Sequence, residues 1–398
     1  MKQNAPTAAK RPHVAVLTET THTAGRNTLR GIGQYIKEHE PWSTYYAPRT
    51  LGEKAPSWLK GWKGDGIIAR VSSEPVMEEL KALGIPFVDM IGGMPTEPGT
   101  ARVSGSDEGI GRKAADYFMK NGFRNFAFLG MRNEVWSVTR KIAYFNVLHE
   151  HGFSVNELLL PSFYDSASGE YRKRSWEKVE EELAVWAATL PAPCAVFCAN
   201  DDLGRYMIEA CRRADIAVPD ELALLGVDND TLFCELYDPP LSSIDANHFG
   251  VGYEAASLLD GMMRGEEAPT LPLLVPAGEI IVRTSSDVLA ISDPNLASAV
   301  HFIRQHACEG ISVGDVAAHA FLSRSVLQRR FKAELGQTAH ERILQEKLSR
   351  ARNLLAETSL PLVDIAEKAG FTHQEYMGAT FRKHQGTTPA QYRIQSKK

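Results

Sequence analysis

The feature that most constrains this chain is an alternation. Short apolar runs trade places with amphipathic helical stretches from His13 to about Arg283, and then the alternation stops. Residues 13–18 (HVAVLT), 66–71 (GIIARV), 86–90 (PFVDM), 125–130 (NFAFLG), 157–161, 195–199 (AVFCA) and 222–227 read as strands. Between them, 27–38, 75–83, 107–121, 140–151, 176–189 and 204–214 repeat apolar residues at helical spacing. Parallel strands need a crossover, usually a helix, so this pitch predicts parallel sheets covered by helices on both faces. The Ser- and Asp-rich stretch 284–294 (TSSDVLAISDP) reads as a linker. Beyond it only helical patterns occur.

Those last patterns come in pairs. After an amphipathic helix over 295–307, residues 313–320 (VGDVAAHA) form a short helix and Phe321-Leu322 a turn. A longer basic helix follows over 323–335 (SRSVLQRRFKAEL), opened by Ser323 as N-cap and stopped by Gly336. The pattern returns as 362–369 (LVDIAEKA), the turn Gly370-Phe371, Thr372 as N-cap and 373–384 (HQEYMGATFRKH), stopped by Gly386. A short helix, a tight turn and a longer Arg-rich helix make a helix-turn-helix. Two such units joined by one helix over 340–356 suit successive major grooves, roughly 34 Å apart. Charge agrees. Residues 288–398 hold 15 Lys and Arg against 10 Asp and Glu, so a basic tail hides within a chain of net charge −5. Exposed side chains early in each second helix should face base edges: Arg324, Ser325, Gln328 and Arg329 in the first, His373, Gln374 and Glu375 in the second. Arg suits guanine O6/N7 and Gln suits adenine N6/N7. Arg382 and Lys383 should meet phosphate.

The tail resembles the AraC/XylS family of transcriptional regulators. Phe331-Lys332, Gly336, Ala351, Leu354-Leu355, Ile365-Ala366, Gly370-Phe371, Phe381, Gly386, Thr388-Pro389 and Tyr392-Arg393 fall at its signature positions. The family usually has Phe after the Tyr of the second recognition helix, often followed by Ser. Here Tyr376 is followed by Met377 and Gly378. A mid-helix Gly costs ~1 kcal/mol relative to Ala, so the second unit is expected to bind DNA less tightly than the first.

The body carries no enzyme signature. Walker, H-E-x-x-H and G-x-S-x-G motifs are absent, and Gly31-Ile32-Gly33 and Gly109-Ile110-Gly111 lack the rest of a dinucleotide fingerprint. His149 and His151 flank Glu150 near a helix end and read as solvated. No catalytic residue, metal or cofactor is expected. Cys194, Cys198, Cys211, Cys234 and Cys308 are an odd, scattered set and read as free thiols. No run approaches the ~20 apolar residues of a membrane helix, and the polar start of the chain lacks the apolar segment of a secretory signal. The expectation is a cytoplasmic protein without membrane contact.

Residues 107–130 (DEGIGRKAADYFMKNGFRNFAFLG), 198–204 (CANDDLG), 218–228 (VPDELALLGVD) and 240–244 (PLSSI) resemble the effector core of LacI-type repressors, which shares the periplasmic sugar-binding-protein fold. In that family the DNA-binding helices precede the core, whereas here the strand pattern starts at His13. A LacI-like core fused to an AraC-type tail most resembles the xylose-operon activators, as do 274–282 (LVPAGEIIV) and 303–310 (IRQHACEG). The resemblance implies an α/β body of two periplasmic-binding-protein-like lobes with parallel sheets, then an all-α domain with two helix-turn-helix units. Expected boundaries are a flexible 1–12, an effector domain over 13–285, a linker over 286–294 and a DNA-binding domain over 295–398. The chain should cross between lobes near Gly122, Asp245 and Leu271.

The implied function is a sequence-specific transcriptional regulator, an activator gated by a monosaccharide bound between the lobes. D-xylose is the first choice and another sugar the second. Implied partners are operator DNA, a second copy in a homodimer and RNA polymerase. A sugar offers hydroxyls, a ring oxygen and C–H faces, so its site needs paired acceptors and donors above an aromatic ring. The resemblance places Arg140, three residues before Ala143, and Asp228, after strand 222–227, at the family's sugar-binding Arg and Asp. Asn200 and Asp201 fall at the mouth of the preceding strand. Asp89 and Trp136 are further candidates, as is Asn247, beside Ala246 where the family often has a Gln. Two other functions compete. One is a transport-linked sugar-binding protein. The other is a methyl-accepting repair enzyme with an AraC-type module, which would need an activated thiol.

Overall fold

The computed structural model describes residues 11–47, 56–71, 74–90, 101–162, 176–288, 291 and 293–396. The chain divides into two units, Met1–Val288 and Leu289–Lys398. In chain order the first contains β1 (His13–Leu17), α1 (Thr23–Glu38), β2 (Ser43–Tyr46), β3 (Gly66–Ala69), α2 (Glu74–Ala82), β4 (Phe87–Met90) and β5 (Ala101–Gly105). Then come α3 (Asp107–Lys120), β6 (Asn125–Arg132), α4 (Val135–Glu150), β7 (Val155–Pro161), α5 (Trp176–Ala187), β8 (Cys194–Cys198) and α6 (Asp201–Arg213). The unit finishes with β9 (Leu222–Val227), α7 (Thr231–Leu236), β10 (Ser242–Ile244), α8 (His248–Met263), β11 (Leu273–Val275) and β12 (Ile280–Ile281).

The strands make two six-stranded sheets, ordered β11-β5-β4-β3-β1-β2 and β12-β10-β9-β8-β6-β7. Every residue of β3, β8 and β9 is buried, as expected of parallel strands covered on both faces. The sheets are parallel with one exception: β12 pairs antiparallel with β10. The chain enters β12 directly from β11 of the other sheet, through a crossing and not over a helix of its own lobe.

Two of the three lobe crossings differ from expectation. The first lies at 105–107, ahead of α3, and not near Gly122. The reason is that α3 packs on α4 of the second lobe. Gly111 permits that approach, since a Cβ there would sit 2.3 Å from the Arg140 carbonyl oxygen. The third lies at 276–279 and not near Leu271, because β11 still belongs to the first sheet. The second falls at Asp245 as expected. The crossings are stitched together. Ser106 N–H donates to the Val275 carbonyl, Asp245 N–H to that of Glu279, and Gly278 N–H to that of Asp245.

The first unit ends later than the sequence suggests. Ser285 and Ser286 are fully buried. Ser285 Oγ donates to the Leu224 carbonyl and accepts from Ser242 N–H, so 284–286 belong to the second lobe's sheet edge and not to a linker. Residues 289, 290 and 292, from the expected linker, and 1–10 of the expected flexible start lie outside the described residues.

The second unit holds α9 (Pro294–His306), α10 (Val313–His319), α11 (Arg324–Leu335), α12 (Ala339–Glu357), α13 (Leu362–Lys368), α14 (Gln374–Gln385) and α15 (Pro389–Ser396). It has two cores. Phe331 and Leu327 of α11 pack with α9, α10 and the start of α12. Phe381 and Met377 of α14 pack with α13 and the end of α12. One long helix therefore serves both helix-turn-helix units.

Candidate effector cleft and nucleic-acid interface

A cavity of about 490 Å³ opens between the lobes of the first unit, within the usual ~300–1,000 Å³ of ligand sites. Its floor in the second lobe is built on charge pairs. Arg140, one turn after Trp136 on α4, donates from Nε to Asp107 Oδ1 at 2.7 Å and from Nη1 to the Ala199 carbonyl at 2.6 Å. Its guanidinium lies 5.1 Å from the Trp136 ring centroid. Glu134 accepts from Trp136 Nε1 at 3.1 Å and so fixes that ring. Asp228 follows β9 with φ 103°, and Asn229 follows with φ 48°. Two consecutive non-glycine residues at positive φ are costly, and such strain concentrates at functional sites.

Asp228 faces His248 across the cleft, with Oδ1 3.0 Å from Nε2. His248 opens α8 on the first lobe, and its buried Nδ1 lacks a hydrogen-bond partner. Burial alone would raise the Asp228 carboxyl, but the His248 hydrogen bond and charge, with Arg140, bring it below its ordinary value. Asp107 moves the other way, raised by burial against the pull of Arg140. The two carboxyls of the cleft are thus shifted in opposite directions.

Of the residues expected to bind sugar, Arg140, Asp228, Asn200 and Trp136 line this cavity together. Three others do not line it. Asn200 also serves as N-cap of α6, its Oδ1 accepting from Leu203 N–H. Asp201, the next residue, points inward. It accepts from Ser243 Oγ, Asp230 N–H and Cys234 Sγ beneath the floor. Burial and the nearby Asp228 charge push its carboxyl up to about 8. Its neighbour Asp202 lines the cavity instead. Asp89 lies behind the wall at 0% exposure, where it receives Arg102 Nε at 2.8 Å and Val71 N–H at 3.1 Å. Arg102 is the wall residue. Asn247 sits at a crossing, capping α8 through Gly250 N–H and donating to the Pro276 carbonyl.

Sequence reasoning missed Asp107, His248, Arg102 and Arg70, all of which line the cavity. Arg70 is held by Glu19 at 2.8 Å. Two further contacts join the lobes beside the cleft, Arg26 to Asp230 at 3.4 Å and His22 to Asp202 at 3.9 Å.

In the second unit, Arg324, Ser325, Gln328, Arg329, His373, Gln374, Glu375, Arg382 and Lys383 are all exposed. Ser323 caps α11 through Val326 N–H, and Gly336 ends it at φ 68°. The N-cap of α14 is His373 and not Thr372, without a side-chain cap bond. Arg324 leans back over α10, where a Cβ on Gly314 would lie 2.2 Å from its Nη2. Met377 is buried where the family's Phe was missing, and Gly378 leaves α14 continuous. The first four cysteines are buried and burial raises their thiols, Cys194 to about 12, the opposite of an activated nucleophile. Among the described residues no helix is long and apolar enough to cross a membrane, and no His, Cys, Asp and Glu cluster has metal-holding geometry.

A cleft between two α/β lobes and a paired helix-turn-helix module define a class: the chain has the build of a DNA-binding transcriptional regulator with an effector site. Residues 115–286 match a periplasmic binding protein-like domain and 316–395 a helix-turn-helix domain. The chain is 29% identical to the xylose operon regulatory protein of Escherichia coli K12 over 390 residues, covering 96% of this chain and 97% of that one. The Haemophilus influenzae protein of the same description is 29% identical over 389 residues, 96% of this chain and 98% of that one. A solved structure of a xylose-binding transcription activator superposes with TM-score 0.78 at 28% identity, covering 97% of this chain and 98% of that one. A LacI family regulator from Enterococcus faecium with bound ribose shares the core fold, at TM-score 0.56 and 20% identity over 70% of this chain and 100% of that one.

Proposed function

We propose that the effector is a neutral monosaccharide, D-xylose, and that its binding between the lobes turns the protein into a transcription activator acting as a homodimer on operator DNA and RNA polymerase. The observation that carries this reading is the charge balance of the cleft. Arg70, Arg102, Arg140 and Arg205 each face a carboxylate at 2.7–3.0 Å: Glu19, Asp89, Asp107 and Asp202. An anionic ligand finds no unmatched arginine in that set, whereas hydroxyls can both donate to Asp228 and accept from guanidinium N–H groups. Trp136 supplies an apolar ring, and the free His248 Nδ1 awaits one more partner. Relatives described by xylose make the pentose the first choice.

The route from sugar to DNA runs through α3 and the β9 loop. Asp107 starts α3 in the cleft. One turn and a half later, Lys113 donates to the carbonyls of Ala277 and Gly278 in the third crossing. Tyr117 then holds Ser286, with its hydroxyl 3.0 Å from the carbonyl and 2.9 Å from Oγ. From the other side, Arg283 donates to Asn229 Oδ1 at 2.9 Å, next to Asp228. Lobe movement therefore pulls on the last residues of the first unit. In the second unit Asp293 caps α9 and also pairs with Arg330 of α11.

Calorimetry with D-xylose on wild type and Asp228→Asn tests the site. A hydrogen bond to a charged group contributes about 1.5–3 kcal/mol, so affinity should fall at least tenfold. Unchanged affinity would sink the assignment of Asp228. A gel-shift titration at fixed salt, with and without xylose, tests the gating. Identical operator affinity and mobility in both would leave a DNA-binding protein without a sugar switch.

A further inference from the structure

Phe321 is the turn residue of the first helix-turn-helix unit, and it is in the wrong place for a phenylalanine on two counts. Its backbone is left-handed, at φ 53°. A bulky residue there is a steric outlier. Its side chain is also 92% exposed, so it recovers nothing by packing. The second unit shows what the turn itself requires. Gly370 takes the matching position at φ 73°, and a Cβ there would lie 2.5 Å from Cys308 Cα. The turn geometry is shared, and at Phe321 the space beyond Cβ is open.

We propose that Phe321 is a DNA-contacting residue that lays its ring against an apolar group at the edge of the major groove, a thymine methyl or a deoxyribose. The inference rests on the DNA-binding role of the second unit. Two residues after Phe321, Ser323 caps the recognition helix α11, whose N-terminal end enters the groove in this motif. The ring is therefore delivered to the DNA together with Arg324 and Arg329. Its surroundings favour nucleic acid over an apolar protein groove. Among the described residues of 313–355, no other large hydrophobic side chain is exposed, and the neighbouring exposed residues include His319, Ser323, Arg324, Ser325, Gln328 and Arg329. Phenylalanine is one of the side chains that reads a thymine methyl.

Full-length wild type, Phe321→Gly and Phe321→Asn would be compared on a duplex that wild type enriches from a random pool. Gly and Asn both accept positive φ, so neither should lower Tm, and Gly should raise it. Both should bind about fivefold more weakly or worse, with the slope of log affinity against log salt unchanged, because no phosphate contact is lost. Replacing each dT by dU then separates the two contacts. If the thymine methyl is the partner, one replacement weakens wild type and leaves Phe321→Gly unaffected. If deoxyribose is the partner, the loss in the variants persists and no single replacement abolishes the difference. Variants that bind within twofold of wild type would overturn the proposal, and so would a lowered Tm in both, since the ring would then serve the fold. A wild type that enriches no duplex would instead overturn the DNA-binding reading itself.

Discussion

The two units handle charge in opposite ways. The effector core buries it. Asp89, Arg102, Arg140 and Asp201 are all at most 5% exposed, and each is held by specific partners. The DNA-binding unit displays it, with the residues expected to contact DNA all on the surface of α11 and α14. A buried charge is tied to the fold, because removing its partner strands it in a poorly solvated place. An exposed charge is nearly free of the fold and contributes when DNA arrives. Substitutions among the buried charges around the cleft therefore risk the fold, and those on the exposed faces of α11 and α14 do not.

The largest expected effect tests the buried side. Asp89→Ala removes the buried carboxylate that Arg102 binds, and loss of one partner of a buried pair costs about 3–5 kcal/mol. Urea unfolding should show it. Arg102→Ala should cost less, because the stranded Asp89 can take up a proton. Burial outweighs Arg102 and already pushes that carboxyl up to about 6. The gap between the two variants should narrow as pH rises and protonation becomes harder. Equal costs at pH 5 would contradict this asymmetry.

The exposed side should respond in the other observable. Arg329→Ala should weaken operator binding by about 1–3 kcal/mol if its guanidinium reads a guanine, with Tm unchanged. Lys383→Ala should weaken all duplexes alike and reduce the salt slope by about one. A drop in Tm for Arg329→Ala, comparable to that for Asp89→Ala, would erase the contrast between the units.

Much of this contrast was legible in the sequence, and the exceptions have causes. The strand 222–227 and the helices α3, α5, α11 and α14 lie within one to three residues of their expected bounds, because one apolar stripe faces one core. The helix α8 was not recognised. It packs against both α1 and the first sheet, and Gly250, Gly252 and Gly261 interrupt any stripe. The strand β2 is a short edge with exposed residues, so it lacks an apolar run. The helix α4 starts five residues before its expected bound, a start the pattern hides because Val135, Val138 and Ile142 are apolar yet exposed. That early start is what sets Trp136 one turn before Arg140.

The cleft was legible where a single segment carries the signal, at Asp228, Arg140 and Asn200. Asp107 reads as the ordinary first residue of a helix, and His248 opens α8, the helix that was not recognised. Their importance comes from partners 33 and 20 positions away, which no local pattern encodes. Asp201 was a candidate and its neighbour Asp202 was not. The start of α6 turns the first beneath the floor and the second into the cavity.

Two smaller effects sharpen the comparison inside each unit. In the core, the folded-state carboxyl of Asp201 is raised from 3.8 to about 8. Its contribution to stability is therefore complete below about pH 4 and is lost as pH rises through about 8. Thermal unfolding from pH 5 to 9 should show a falling Tm that is flatter in Asp201→Asn. A wild-type Tm independent of pH across that window would indicate that its three hydrogen-bond donors keep the carboxylate ionised.

In the tail, Gly378 sits mid-helix in α14, and a Cβ there would meet nothing within 4 Å. The helix tolerates this glycine but pays backbone entropy for it on folding. Gly378→Ala should stabilise the protein by about 0.5–1 kcal/mol, read as a small rise in the urea midpoint. If the second helix-turn-helix unit binds DNA weakly because α14 frays, the same variant should tighten operator binding and do so mainly through the half of the operator that α14 reads. If stability rises and DNA affinity does not, weak reading by the second unit must come from its exposed set, His373, Gln374 and Glu375, where an acidic side chain stands in place of the arginines of α11. The two outcomes separate helix order from side-chain chemistry as the source of any inequality between α11 and α14 in DNA binding.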